Sequence, residues 1–337
     1  MFNYLIVLLD DCSTSYCHYD IAYHEKHLMP LEILQKTIFF AMKENLMVQY
    51  VLPNYKLPQS HLELMDTIDN NMIVSSLCKD DEILSRADVV ILNDWACVER
   101  ISFEPNKSYV LKTAMEDLFE KYDVLKKPFS IASRFNIVIT NIESFDESDY
   151  EHYRQVLSNL GDILVREYQK KHYIQCNLLT DRITIDRMNN CGAGETNITV
   201  APNGKFYICP AFFHDDRNQC VGDIEKGINI PYTQLYRIDH APICRHCDAF
   251  QCKRCIWLNK KLTFEVNTPS KQQCVISHIE RNASQTILSK LRDVVESFKN
   301  KEDMQPIDYL DPFDVRDSWD KDIIEEELNK YHRENYL

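Results

Sequence analysis

Cys191-Gly-Ala-Gly-Glu-Thr-Asn-Ile-Thr-Val-Ala-Pro-Asn-Gly-Lys-Phe-Tyr-Ile-Cys209 is the stretch on which this sequence turns. Its centre predicts a β-hairpin, with Ile198-Thr199-Val200 and Phe206-Tyr207-Ile208 flanking the turn Pro202-Asn203-Gly204. The hairpin folds the block back on itself, and the Gly192-Ala193-Gly194 bend can turn Cys191 toward Cys209, so that two thiolates approach one site. Glycine supplies positive φ and close backbone approach. Five of the six glycines of the chain (Gly192, Gly194, Gly204, Gly222, Gly227) lie around this block, so the demand for special backbone is concentrated here.

Downstream comes Cys244-Arg-His-Cys247-Asp-Ala-Phe-Gln-Cys252-Lys-Arg-Cys255, followed by Cys274. A Cys-x2-Cys pair is a chelating knuckle, because its short turn points both sulfurs at one centre. Eight cysteines (Cys191, Cys209, Cys220, Cys244, Cys247, Cys252, Cys255, Cys274) thus cluster between 191 and 274, out of thirteen in 337 residues. That is too many ligands for one tetrahedral zinc and suits two iron–sulfur clusters with four ligands each; one or two four-cysteine zinc sites are the competing reading. From Ala241 to Cys274 six basic side chains face two acidic ones, a local excess that would stabilise anionic clusters. Cys12, Cys17, Cys78, Cys97 and Cys176 are scattered on or near strands and read as small buried core residues.

Upstream, residues 1 to about 185 alternate short apolar strands and amphipathic helices. Strands are expected at Tyr4–Leu9, Val48–Leu52, Met72–Ser75, Val89–Leu92, Phe135–Thr140 and Tyr173–Leu178, and helices at Leu31–Asn45, His61–Asp69, Lys112–Leu125 and Tyr150–Lys170. The helix at 31–45 carries Leu31, Leu34, Ile38, Phe39 and Met42 after Pro30. This pattern predicts an α/β fold, a mostly parallel layer or open barrel. A last helix is expected after Ser277, with Ile287, Leu288, Leu291, Val294, Val295 and Phe298 on one face, and then an acidic tail that reads as a solvated helix pair.

The formal net charge of −14 argues against a nucleic-acid partner, and half of it sits after residue 300, where twelve acidic side chains face five basic ones. Tyr4–Leu9 is too short for a membrane span and lacks the basic flank of an export signal. A cytoplasmic location without membrane is therefore expected, where clustered thiols point to metal rather than disulfides.

The spacing Cys191-x12-Gly204-x4-Cys209, then Cys244-x2-Cys247-x4-Cys252-x2-Cys255, then Cys274 resembles the SPASM domain of radical-SAM peptide-modifying enzymes; two spacings in the second block are each one residue short of that pattern. The resemblance implies one auxiliary [4Fe–4S] cluster on Cys244, Cys247, Cys252 and Cys274. It implies another on Cys191, Cys209 and Cys255, with Cys220, Cys176 or nothing as fourth ligand, Cys220 being preferred. A radical-SAM barrel also carries Cys-x3-Cys-x2-Cys after its first strand. Here that place holds only Cys12 and Cys17, at x4 spacing, followed by His18, and the Gly-Gly-Glu motif is absent because no glycine precedes Gly161. The chain resembles the CXXX-repeat peptide maturases, which implies a shortened radical-SAM-like α/β domain (1–187), a SPASM-like Cys-rich metal domain (188–280) and a C-terminal helix with acidic tail (281–337).

The expected function is an iron–sulfur maturase component in modification of a ribosomally synthesised Cys-repeat precursor peptide. It would carry two [4Fe–4S] clusters, lack S-adenosylmethionine (SAM) chemistry of its own, and work with a radical-SAM enzyme partner. The alternatives are a zinc-binding (Zn2+) peptide-recognition scaffold and an atypical radical-SAM enzyme using Cys12 and Cys17.

Overall fold

The computed structural model describes residues 2–188, 191–316, 321, 324–326, 328–330 and 332–333. Strands and helices alternate through the first half: β1 (Tyr4–Leu8), α1 (Leu31–Lys43), β2 (Met47–Val51), α2 (Gln59–Met65), β3 (Asn70–Ser75), α3 (Asp81–Arg86), β4 (Val89–Leu92), α4 (Trp95–Arg100), β5 (Ser108–Thr113), α5 (Met115–Lys121), α6 (Lys126–Phe129), β6 (Arg134–Ile139), α7 (Glu147–Gln169) and β7 (Gln175–Cys176). Then come α8 (Asp181–Thr184), the hairpin β8 (Asn197–Val200) and β9 (Phe206–Tyr207), α9 (Pro210–Asp215), the small pair β10 (Gly222–Asp223) and β11 (Gly227–Ile228), α10 (Ile256–Thr263) and α11 (Lys271–Leu291).

Among the described residues, nine strands form one sheet in the order β7-β6-β5-β4-β3-β2-β1-β8-β9. Every pair is parallel except β8 with β9. Successive strands sit side by side because each helical crossover returns the chain to the next position, as right-handed βα units do. The first strand of the cysteine-rich hairpin pairs directly with β1, Leu5 beside Ile198 and Val7 beside Val200. The hairpin is thus an extension of the first half's sheet.

Alternation along the strands gives two apolar faces. Leu5, Val7, Tyr109 and Leu111 point to the helices and form the main core, while Ile6, Leu8, Ile73, Ile91 and Val110 line the opposite face with Tyr207 and Phe213. Helix α7 starts with an Asp146–Asp149 capping box and packs on α11 so closely that a Cβ on Gly161 would meet Ile287 Cδ1 at 2.9 Å.

Several local expectations shift. Lys112 and Thr113 are the end of strand β5, which the sequence reading merged into a helix, and the short helices α3 and α4 went unread. In α1 the buried residues are Leu34, Thr37, Ile38 and Ala41, while Leu31, Phe39 and Met42 face solvent. Thr37 is tolerated inside because its hydroxyl donates to the Ile33 carbonyl at 2.8 Å. Helix α11 begins six residues before Ser277, so Cys274 stands on its first turn, and it ends at Leu291, short of Val294, Val295 and Phe298. The acidic tail lies partly outside the described residues. No described helix is long and apolar enough to cross a membrane.

Candidate metal centre

Cys244 and Cys247 sit on one tight turn closed by the Cys247 N–H to Cys244 carbonyl bond (3.2 Å), and Cys252 follows on the next turn. The Ala249 N–H points at Cys247 Sγ and the Arg254 N–H at Cys252 Sγ, both at 3.4 Å. Such backbone donors stabilise thiolate and tune a cluster held by it. Cys274 approaches from α11: burial raises its thiol, and the charges of Cys244, Cys252 and Cys247 raise it further. Burial likewise pushes Cys244 and Cys247 up to about 12. The three thiols of the knuckle region all act on Cys274, which sets these four sulfurs in one neighbourhood.

Two side chains brace it. His278 Nδ1 bonds the Leu310 carbonyl at 2.7 Å, which leaves Nε2 to accept from the Cys247 thiol at 3.5 Å. Arg254 is buried and donates to the Tyr236 and Arg237 carbonyls and to Asn267 Oδ1. Its backbone takes φ +42°, so the chain turns sharply between Cys252 and Cys255.

Cys255 belongs to a second group. Burial raises its thiol most, and Cys17, Cys191 and Cys209 add to the rise. Cys209 is raised by burial and then by Cys17 and Cys191. Cys191 is an exposed residue whose thiol is nonetheless raised by burial; its N–H donates to the Lys253 carbonyl at 3.1 Å, tying it to the knuckle. Cys209 and Cys255 directly precede α9 and α10, and these helices meet where Lys260 Nζ lies 5.1 Å over the Phe212 ring.

The other cysteines lie elsewhere. Cys220, the preferred fourth ligand in the sequence reading, packs against the apolar cluster of Tyr207 and Phe213. Cys176 is fully buried in the main core, and Cys78 and Cys97 are core residues as well. The Cys12 N–H donates to Asp10 Oδ1 at 2.8 Å, and burial, then the Asp10 carboxylate, pushes the Cys12 thiol up to about 12. Cys17, read from sequence as a core residue, is the one that joins the second group. Among the described residues no three His, Cys, Asp or Glu side chains are gathered tightly enough to hold a single metal ion. A four-iron cluster gives each thiolate its own iron and spreads its ligands wider than one ion does. Two groups of thiols, with N–H donors aimed at the sulfurs of Cys247 and Cys252, match the donor set such clusters take.

Between these sulfurs and the sheet runs the chain that leaves β1. Lys112, on the Ile6 face of β5, donates to Ser15 Oγ at 2.7 Å and to the Tyr19 carbonyl at 2.9 Å. Tyr16 and Tyr23 pack on that same face. Beside this segment, past the C-terminal ends of β4–β6, opens a cleft of about 700 Å³ walled by Asp20, Asp94, Lys112, Asp117, Lys121 and Lys261.

No protein-family model and no curated protein matches the sequence. Among solved structures the chain is similar to anSMEcpe with bound AdoMet, at 13% identity over 88% of this chain and 97% of that one, with a TM-score of 0.54. It is also similar to native anSMEcpe with bound AdoMet and the Cp18Cys peptide, at 14% identity over 88% and 99% of the two chains, with a TM-score of 0.55. The likeness is one of fold: the α/β architecture with its mostly parallel sheet is a radical-SAM-like partial barrel.

Proposed function

We infer that this chain is an iron–sulfur maturase component that acts on a ribosomally made, Cys-repeat precursor peptide together with a radical-SAM enzyme. The observation that carries the reading is the placing of Cys244, Cys247, Cys252 and Cys274 near one another, and of Cys191, Cys209 and Cys255 near one another, on a radical-SAM-like barrel whose first loop holds only Cys12 and Cys17. Cys244, Cys247, Cys252 and Cys274 would hold one [4Fe–4S] cluster, and Cys191, Cys209 and Cys255 the greater part of another. Bound there, such clusters supply one-electron transfer. The chain's own residues aim N–H groups at the sulfurs of Cys247 and Cys252 and fix the knuckle through Arg254.

Two features favour a partner for the radical step. The loop after β1 packs Tyr16 on the Ile6 face of the sheet and is pinned by Lys112 at Ser15 and Tyr19, and the sequence has neither the three-cysteine loop nor the Gly-Gly-Glu motif. The charged cleft past the strand ends lies where open α/β sheets receive ligands, and a segment of peptide is the occupant we assign to it. The test is to incubate the reduced, isolated protein with SAM and a synthetic Cys-x-x-x repeat peptide. No 5′-deoxyadenosine and no modified peptide should form until a radical-SAM enzyme is added. Cleavage of SAM by the isolated protein, lost in Cys17→Ala, would overturn the division of labour.

A further inference from the structure

We propose that Cys17, from the loop after β1, is the fourth ligand of the site formed by Cys191, Cys209 and Cys255, closing it so that no iron is left open to a substrate. This rests on the iron–sulfur reading above and deepens it. The thiol that the resemblance to a radical-SAM barrel would give to a SAM-binding cluster is redirected to the neighbouring one.

The packing of four segments carries the proposal. The loop after β1 lies on α9: the Tyr19 ring stacks on His214 with centroids 5.2 Å apart and planes 15° apart, Tyr23 meets Phe213 at 5.5 Å, and the Ala22 N–H reaches His214 Nδ1 at 3.4 Å. Cys209 begins α9, so a loop clamped to this helix brings Cys17 beside it. Cys255 begins α10, which packs on α9 through Lys260, and Cys191 is bonded to the turn just before Cys255. The loop is held from its other side too, by Lys112 and by the Thr14 N–H on the Leu52 carbonyl at 3.0 Å. The rival ligands are engaged elsewhere, Cys220 against the apolar cluster of Tyr207 and Phe213 and Cys176 fully buried in the main core.

The closure has a chemical consequence. With four protein thiolates every iron of the cube has its ligand, so the site passes electrons and does not bind a substrate thiolate.

The test compares wild type, Cys17→Ala and Cys220→Ala after anaerobic reconstitution, by iron, sulfide and zinc analysis and electron paramagnetic resonance of the reduced proteins. Wild type should hold about eight irons, Cys17→Ala should lose up to half of them and one of two signals, and Cys220→Ala should match wild type. Full iron and both signals in Cys17→Ala, with loss in Cys220→Ala, would overturn the assignment. Should Cys17→Ala fold poorly, alkylation of wild type decides: stripping the metal should raise the reactivity of Cys17 together with Cys191, Cys209 and Cys255 and leave Cys220 unchanged. Equal reactivity of Cys17 in both states would contradict it. If wild type takes zinc without sulfide, the iron–sulfur reading fails by itself, and Cys17 is then judged by whether Cys17→Ala lowers the zinc count by about one.

Discussion

The two thiol groups of this protein are built on opposite principles. Cys244, Cys247 and Cys252 lie within nine residues of chain and need only one turn of α11 to bring in Cys274. Cys191, Cys209 and Cys255 are spread over 65 positions, and Cys17 joins them only because β8 pairs with β1 and the following loop packs on α9. The first group is a matter of local turns, whereas the second is a product of the whole sheet. A site of the second kind binds the cysteine-rich region to the barrel, since loading it ties residue 17 to residue 255.

Arg254 is where the two meet, and breaking it should have the largest effect. It stands between Cys252 of one group and Cys255 of the other, and its buried guanidinium donates to the part-buried carbonyls of Tyr236 and Arg237 and to the buried Asn267 Oδ1. Arg254→Met leaves these unpaired and should cost more than about 3 kcal/mol of stability, seen in urea unfolding of the metal-free protein, and should lower metal content at both sites. Loss at one site alone would mean that the knuckle is not shared.

Glu280 sharpens the contrast by tying the local group to the barrel. It is buried on α11, accepts from Tyr153 of α7 at 2.7 Å and from Gln251, and burial raises its carboxyl to about 7. A carboxyl with a folded pKa above its unfolded one binds its proton more tightly in the native state. Its contribution is therefore full below about pH 4.5 and is lost as pH rises through about 7, by up to roughly 3 kcal/mol. Unfolding midpoints measured between pH 5 and 8 should fall accordingly, and Glu280→Gln should flatten the curve.

The smallest effect should be confined to the local group. His278→Leu removes the bonds to the Leu310 carbonyl and the Cys247 thiol, and should cost about 1–2 kcal/mol. Iron at the Cys17 group should stay at its wild-type level in this variant, by reconstitution and iron analysis. A fall there would show that the two sites are coupled beyond the knuckle.

What was legible in the sequence follows the same division. The parallel α/β layer came from short apolar strands followed by helices, and the hairpin from Pro202-Asn203-Gly204, because both are written in neighbouring residues. Strand β5 was hidden because Lys112, a charged residue on an inner face, reads as the start of a helix; its amine is satisfied by Ser15 and Tyr19, contacts that exist only in the fold. Cys17 was hidden for a like reason. Its spacing to Cys12 pointed to a decayed motif of its own, and nothing local could show that α9 draws it to Cys209. The run Ser13-Thr14-Ser15, small polar residues between Cys12 and Cys17 after a buried strand, was the signal available. A loop of that kind buried beside aromatic rings has a structural duty.

Two four-iron clusters per chain are open to direct measurement by iron and acid-labile sulfide analysis of the anaerobically reconstituted wild-type protein. The account predicts about eight irons and eight sulfides per chain, with a brown colour that bleaches on reduction. Stoichiometric zinc with no sulfide and no visible absorbance would contradict it.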